Sequence, residues 1–188
     1  MSTSGCAEEA GNDVPPNVVV GKGTVLLGEN LWRRFESERQ PALVVGSHST
    51  IDGVHFAIGR QGVVTIGDYC YLSNVLVMAE AEIRIGNYVL LGWNVAIADS
   101  DFHPLDPARR IEDTIANSPL HKGQRPRPLF ASSPVIIEDD VWVGANTLIL
   151  KGVRLGQGCK VEPGSLITND VPANSHVLGN PARVVGTI

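Results

Sequence analysis

The sequence predicts an all-β domain in which short strands and tight turns repeat along the chain. Aliphatic side chains recur every six residues, and glycine often follows them. The 188 residues also include 20 Gly and 12 Pro, a turn-rich composition that favours strands over helices. Only 5% of the residues are aromatic although 43% are hydrophobic, so the core must be built from Val, Ile, Leu and Ala.

The N-terminal part of the chain predicts a tail followed by weak repeats. Residues 1–17 are polar and carry two prolines, Pro15 and Pro16, near their end, which predicts a flexible tail. Residues 18–188 then predict a single domain, since this length suits one core. Weak six-residue units begin at Val20 and Leu26, and again at Val45 and Ile51. Between them, residues 31–41 could form a short helix or a loop.

The strongest repeat runs from residue 66 to residue 167. Twelve positions at six-residue steps, with one extra residue and one long gap, are all apolar: Ile66, Leu72, Met78, Ile85, Leu91, Ile97, Ile137, Val143, Ile149, Leu155, Val161 and Ile167. At this hydrophobic content, chance agreement has a probability of about 4 in 100,000. Such a period predicts a short strand and a turn, with three units per triangular coil and burial only by stacking of coils. Residues 173–188 are expected to cap the stack, because open strand edges invite pairing.

The repeat stops between His103 and Pro134, where the sequence is rich in proline and charge. Loops of this length inside a compact domain are usually functional or disordered, so residues 103–134 predict a projecting, chemistry-bearing insert. Within it, Arg109 and Arg110 could pair with Glu112 and Asp113.

Three stretches of the sequence, PVIIEDDVWVGANTLILKGVRLG, PGSLITNDVPANSHVLGNPARVVG and HPLDPARR, resemble the hexapeptide-repeat acyltransferases. The similarity is greatest to the branch of galactoside, maltose and nodulation-factor O-acetyltransferases, and it covers roughly residues 45–188. The resemblance implies a left-handed parallel β-helix, a rare exception to right-handed crossovers. It also implies acetyl-CoA as the acyl-donor cosubstrate and a homotrimer with active sites between subunits.

The resemblance implies that His103 is the general base. A neutral imidazole suits that role, because it can take the proton of an attacking hydroxyl near neutral pH. Asp99, Asp101 or Glu112 could hold the ring. The alternative is a loop histidine that only caps a turn. One extra residue before His103 and an unusual insert distinguish the chain from the maltose and galactoside enzymes, and both features bear on the acceptor.

The resemblance also implies residues along the path of coenzyme A and near the acceptor. The coenzyme set, which follows the pantetheine arm, the next coil and then the phosphates, is Trp142, Gly144, Ala145, Pro163, Gly164, Thr168 and Arg183. Lys151, Arg154 and Lys160 could supply charge that relatives carry at the position of Asn169. Asn74 and Glu80 are candidates for binding the acceptor. The alternative is that Asn74 only forms a turn and that Glu80 is only an exposed edge residue.

Composition disfavours several other functions. The net charge is −5 without a basic block, which argues against a nucleic-acid partner. Cys6, Cys70 and Cys159 are too far apart for a disulfide framework or zinc motif. No apolar run approaches ~18 residues, so no membrane span is expected, and the N-terminus lacks a signal-peptide pattern. These features predict a cytoplasmic protein. Four further histidines remain: His48, His55, His121 and His176. Carbonic anhydrases of a related fold bind zinc through a closely spaced histidine pair and a third histidine, and His103 and His121 are too far apart to copy that spacing, so no metal is expected.

These observations predict an acetyl-CoA-dependent O-acetyltransferase that modifies a hydroxyl of a sugar or saccharide intermediate. Two alternatives stay open. One is an O-acetyltransferase that acts on an antibiotic or another xenobiotic. The other is a non-catalytic trimeric β-helix that binds a small ligand.

Overall fold

The structure, a computed structural model, describes residues 14–188. Most of the predicted tail, including Cys6, lies outside the described residues. Asn17, the last residue of that tail, is only 7% exposed. Its side-chain amide donates to the carbonyl oxygens of Ser37 at 2.8 Å and Arg39 at 3.1 Å. The chain is therefore fixed to the first coil from this point on.

Three sheets, named A, B and C, form the faces of a triangular prism, and their strands are parallel except for the last strand of sheet B. Sheet A contains β1 (Val18–Val20), β4 (Leu43–Val45), β7 (Val63–Ile66), β10 (Glu82–Ile85), β13 (Val135–Ile137) and β16 (Arg154–Leu155). Sheet B contains β2 (Val25–Leu27), β5 (Thr50–Asp52), β8 (Tyr71–Ser73), β11 (Leu90–Leu91), β14 (Trp142–Val143), β17 (Lys160–Val161), β19 (Ser175–Gly179) and β20 (Ala182–Thr187). Sheet C contains β3 (Arg34–Phe35), β6 (His55–Ile58), β9 (Leu76–Ala79), β12 (Ala96–Ala98), β15 (Leu148–Ile149) and β18 (Leu166–Ile167).

The chain visits sheets A, B and C in turn and then returns to A one layer further on. This path repeats for about seven turns and forms a left-handed parallel β-helix, which confirms the predicted fold class. At the C-terminal end β20 turns back antiparallel to β19, so the predicted cap is a β-hairpin that extends sheet B. Residues 31–41 contain the short strand β3 and no helix, and Trp32 stacks on Phe56 with ring centroids 5.7 Å apart.

The interior of the prism confirms eleven of the twelve predicted inward positions, each of which is at most 3% exposed. The exception is Met78, which is half-buried, while its neighbour Val77 is fully buried and pairs with Ile97 of the next coil. The turn after Leu72 is one residue shorter than the turn after Leu91. Because strand side chains alternate between faces, this one-residue difference moves Met78 outward and Val77 inward.

The edges of the prism explain the recurrence of Asn, Asp and Gly between strands. Along the edge between sheets B and C, residues with φ between +50° and +73° repeat in successive coils: Gly53, Asn74, Asn94, Asn146 and Gly164. Asn and Gly tolerate this left-handed conformation better than other residues. The predicted turn role of Asn74 is therefore present in the structure.

The insert leaves the prism at the edge between sheets C and A, after β12, and returns to β13. It contains the helix α1 (Pro107–Ala116), which the sequence analysis did not predict. Asp106 caps this helix by accepting a hydrogen bond of 2.9 Å from the backbone N–H of Arg109, and Pro107 occupies its first turn.

The register in sheet C yields a stability prediction. Val77→Ala should lower the free energy of unfolding by about 2 kcal/mol, because it removes two buried methyl groups and leaves a cavity. Met78→Ala, the matched control one residue away, should cost clearly less because Met78 is half-buried. Urea unfolding followed by circular dichroism measures both. A larger loss at Met78 would show that the six-residue register continues through this coil.

Candidate active site

His103 lies at the start of the insert with its imidazole open to solvent, the side chain being 59% exposed. Its Nδ1 atom is 2.5 Å from Oδ2 of Asp113, which belongs to α1. Asp113 is completely buried. The helix thus places a buried carboxylate against one nitrogen of the ring and leaves the other nitrogen, Nε2, on the open side.

Asp113 is held as a carboxylate by the groups around it. Arg127 donates from Nε to Oδ1 at 2.7 Å and from Nη2 to Oδ2 at 3.2 Å, and the amide of Asn117 donates to Oδ1 at 3.2 Å. The guanidinium of Arg127 is the main cause of a lowered pKa of Asp113, with a further contribution from His103. An ionised carboxylate can only accept, so Nδ1 of His103 carries a hydrogen, and in the neutral tautomer Nε2 keeps the free lone pair.

Arg127 is itself fixed at three points. Besides Asp113, its Nη2 donates to the carbonyl oxygen of Phe102 at 2.6 Å. Its guanidinium lies over the ring of Phe130, 5.0 Å from the centroid. The hydrogen bond to Asp113 raises the pKa of Arg127, so the cation is retained. His103, Asp113 and Arg127 form one hydrogen-bonded unit, called the His103 triad below.

The predicted partners of His103 were wrong. Asp99 is fully buried and accepts from the backbone N–H groups of Glu80 and Ala81 at 2.8 and 2.7 Å. Asp101 pairs with Lys151 at 2.6 Å. Glu112 is exposed on α1, whereas Asp113, the next residue, faces the ring.

The pairing within the insert also differs from the expectation. Arg110 donates to the carbonyl oxygens of Pro104 and Leu105, at 3.4 and 2.9 Å, instead of binding a carboxylate.

Most of the residues expected along coenzyme A line one wall of the prism. Trp142 is exposed on the outer face of sheet B, with the ammonium of Lys160 4.7 Å from its ring centroid. Gly144 lies against Pro163, and a Cβ atom at Gly144 would come within 2.6 Å of the proline ring. The N–H of Gly164 donates to the carbonyl of Ala145 at 2.9 Å. These contacts bring five of the seven residues together at sheet B and its edge with sheet C.

The other two residues of that set lie apart from this wall. Thr168 follows β18 at the edge between sheets C and A, and the exposed Arg183 lies on β20, where its guanidinium donates to the carbonyl of Ala182 at 2.9 Å. The three cations considered as substitutes each make an ion pair: Lys151 with Asp101, Arg154 with Glu138 and Lys160 with Glu162.

The two candidate acceptor residues are not neighbours within one chain. Asn74 lies at the edge between sheets B and C, whereas Glu80 lies at the edge between C and A, below the insert. Burial raises the pKa of Glu80, and the positive charge of Arg127 opposes this shift. Glu80 is thus the one of the two that lies on the side of the His103 triad.

Among residues 14–188, no group of three His, Cys, Asp or Glu side chains is arranged to hold a metal ion. Over the same residues, no helix has the length and hydropathy needed to cross a lipid bilayer.

Comparison with known sequences identifies the repeat. Residues 134–169 match the family model "Hexapeptide repeat of succinyl-transferase". A segment of 55 residues is 56% identical to 2,3,4,5-tetrahydropyridine-2,6-dicarboxylate N-acetyltransferase of Staphylococcus aureus. That match covers 29% of this chain and 23% of the relative, so the chain spans about a quarter of the length of the curated relatives it matches.

Comparison with solved structures identifies the fold. A hexapeptide-repeat acetyltransferase from Vibrio cholerae, complexed with acetyl coenzyme A, has 24% identity and a TM-score of 0.56 over 91% of this chain and 70% of its own. Galactoside acetyltransferase in complex with coenzyme A has 23% identity and a TM-score of 0.56 over 88% and 65%. An N-acyltransferase from Bacillus cereus, bound to dTDP-4-amino-4,6-dideoxyglucose and coenzyme A, has 16% identity and a TM-score of 0.66 over 90% and 82%.

These matches confirm the resemblance predicted from the sequence: the chain carries hexapeptide repeats and has the fold of the hexapeptide-repeat acetyltransferases.

Proposed function

We propose that the protein is an acetyl-CoA-dependent O-acetyltransferase that acts on a sugar or saccharide intermediate, with His103 as general base. The observation that carries this proposal is the His103 triad. A buried carboxylate holds Nδ1 of an exposed imidazole at 2.5 Å, which leaves Nε2 free to accept a proton. This geometry is the one that a general base requires.

The proposed reaction is a direct transfer. Nε2 of His103 removes the proton of the acceptor hydroxyl as its oxygen attacks the thioester carbonyl carbon. The tetrahedral intermediate collapses, the C–S bond breaks, and the thiolate of coenzyme A takes the proton back from the imidazolium. Asp113 and Arg127 fix the ring and stabilise its charged form, because the carboxylate lies next to the developing imidazolium.

The cysteines of the described chain support direct transfer over an acyl-cysteine intermediate. Cys70 and Cys159 are both buried. Burial raises the pKa of Cys70, and it raises that of Cys159 to about 11. A buried thiol with a raised pKa supplies little thiolate, which is the nucleophilic form.

The proposed donor site is the wall formed by sheet B and its edge with sheet C. Two structures of this fold contain the coenzyme: the Vibrio cholerae acetyltransferase holds acetyl coenzyme A, and galactoside acetyltransferase holds coenzyme A. In this chain, Trp142, Gly144, Ala145, Pro163 and Gly164 would follow the pantetheine arm along this wall. Thr168 would lie apart from it, at the edge between sheets C and A, and Arg183 would lie near the phosphates. Pro163 has no N–H to donate, so this contact must use carbonyl oxygens.

The topology supports a homotrimer. In a triangular prism the edge between sheets C and A, which carries the insert, lies opposite sheet B. His103 and most of the proposed donor wall are thus on different sides of one chain. A second copy that packs its wall against the insert would unite them, and the exposed apolar column Tyr71, Leu90 and Trp142 on sheet B favours contact with another surface.

An amine acceptor is the second candidate. The Staphylococcus aureus relative is an N-acetyltransferase, and the Bacillus cereus structure is an N-acyltransferase bound to an amino sugar nucleotide. His103 could deprotonate an ammonium or a tetrahedral adduct by the same geometry. Glu80, on the side of the insert, is the better placed of the two proposed acceptor residues, and Asn74 would have to come from a second subunit.

A thiol-release assay tests the proposed function. The protein is mixed with acetyl-CoA and with matched sugars, amino sugars and hydroxyl-bearing antibiotics, and released coenzyme A is measured. Mild alkaline treatment then separates esters, which hydrolyse, from amides, which do not. If none of the tested acceptors raises the release of coenzyme A above background, the result would instead support the non-catalytic binding protein.

His103→Ala should reduce turnover with the best acceptor by about 100-fold or more, in line with the loss of a general base. Affinity for coenzyme A should stay near that of the parent. His121→Ala is the control, since His121 lies in the same insert and contacts Ser118 instead of Asp113. Equal turnover in parent and His103→Ala would falsify the assignment.

The His103 triad also predicts a pH dependence of stability. The folded-state pKa of Asp113 is lowered, so its stabilising effect is present above the unfolded value near ~3.9 and is lost as the pH falls through the folded value. The difference in unfolding temperature between the parent and Asp113→Asn should therefore be present at about pH 5 and above and shrink below about pH 4. Glu112→Gln, at the exposed neighbouring position, should show little difference at neutral pH. A difference that persists undiminished in acid would contradict the pairing.

The homotrimer predicts a sedimentation mass near three times the 20.1 kDa of one chain. If the site lies between subunits, mixing inactive His103→Ala chains with inactive Trp142→Ala chains and allowing exchange should restore part of the activity. Some mixed interfaces would then pair a native His103 with a native wall. Activity that stays absent after verified exchange would place both residues in one subunit's site.

A further inference from the structure

A cleft of about 510 Å³ lies between helix α1 and the segment that follows it in the insert. Its lining includes Arg109, Glu112 and Ile115 from the helix and Arg125, Pro126 and Arg127 from the segment. The volume is within the range of small-molecule sites. Neither the repeat nor the proposed donor wall contributes to it.

The charges in this cleft are not balanced. Arg127 is neutralised by Asp113, with 2.7 Å between Nε and Oδ1. The guanidinium groups of Arg109 and Arg125 have no carboxylate within 4.0 Å among the described residues, and Glu112 is the one acidic side chain in the lining. Two unpaired guanidinium groups that share a cleft favour an anion between them, and each can bind a phosphate or carboxylate through two parallel hydrogen bonds.

We propose that this cleft binds the phosphate or carboxylate group of a small molecule, and that the acceptor of the acetyl transfer carries that group. The second part rests on the proposed function. Arg109 and Arg125 would hold the anion, while Ile115 and Pro126 offer apolar surface to the carbon skeleton.

The cleft is connected to the proposed general base through a single residue. Arg127 lines the cleft and also donates to Asp113, whose Oδ2 is 2.5 Å from Nδ1 of His103. An acceptor anchored there by its charged end lies against the same hydrogen-bonded unit that orients the base. The position of the cleft therefore suits the acceptor better than a ligand unrelated to the reaction.

Isothermal titration calorimetry at fixed ionic strength tests the proposal without turnover. The probes are glucose 6-phosphate, glucuronate, uncharged glucose and adenosine 3′,5′-bisphosphate, which represents the charged end of coenzyme A. We expect glucose 6-phosphate or glucuronate to bind and glucose to bind at least 10-fold more weakly. The double variant Arg109→Gln/Arg125→Gln should weaken the charged sugar at least 10-fold, and Glu112→Gln should strengthen it. Lys122→Gln, a cation of the same insert outside the cleft lining, should leave binding unchanged.

Three outcomes would overturn the proposal: no binding of either charged sugar, equal binding by the double variant and the parent, or an equal loss in Lys122→Gln. Binding of adenosine 3′,5′-bisphosphate alone, lost in the double variant, would assign the cleft to the donor and reject an anionic acceptor. Because acetyl transfer is assayed separately, turnover with only uncharged acceptors would reject this inference and leave the proposed function standing. Anion binding to the cleft without turnover of any acceptor would reject the proposed reaction and leave the anion-binding site standing.

Discussion

Each coil of this protein can bury its aliphatic side chains only against the coils above and below it. One or two side chains per face point inward, and parallel pairing brings equivalent residues into columns such as Val77, Ile97 and Ile149. A break in the register of one coil would expose its interior and that of both neighbours, so the geometry of every face depends on the alignment of these columns. The prism that results is periodic.

The insert depends on the stacked coils of the prism for its position. Its base is tied to the next coil by the ion pair of Lys151 with Asp101, and the N–H of Gly152 donates to the carbonyl of Ser133 at 3.0 Å. Ser133 in turn donates from its N–H to the carbonyl of Asp99 at 2.7 Å, so the entry and exit of the insert are held together. Beyond these ties, α1 and Arg127 form a small unit of their own around Asp113.

The repeat was predictable because burial imposes a period on the sequence. The single miss, Met78 in place of Val77, came from a turn shortened by one residue, which six-residue counting cannot detect. The partner of His103 was missed for a different reason. The stretch DPARR carries the helix-start signal of an Asp cap followed by proline, and a helix from residue 106 would have put Asp113 and Glu112 on different faces. Arg127 had no local signal, because its contact with Asp113 spans 14 residues, most of which follow the end of α1.

The division between coils and insert also bears on the proposed acceptor. The family model matches residues 134–169, which are coils, and coils are constrained by burial whatever molecule the protein modifies. The unpaired Arg109 and Arg125 are different, because no packing requirement places two exposed cations on one cleft of a chain whose net charge is −5. Chemistry that is not needed for the fold points to a ligand. Under the proposed function, residues 103–134 would therefore contribute to the choice of acceptor together with Asn74 and Glu80 of the coils, while the repeats would supply the frame and the proposed donor path.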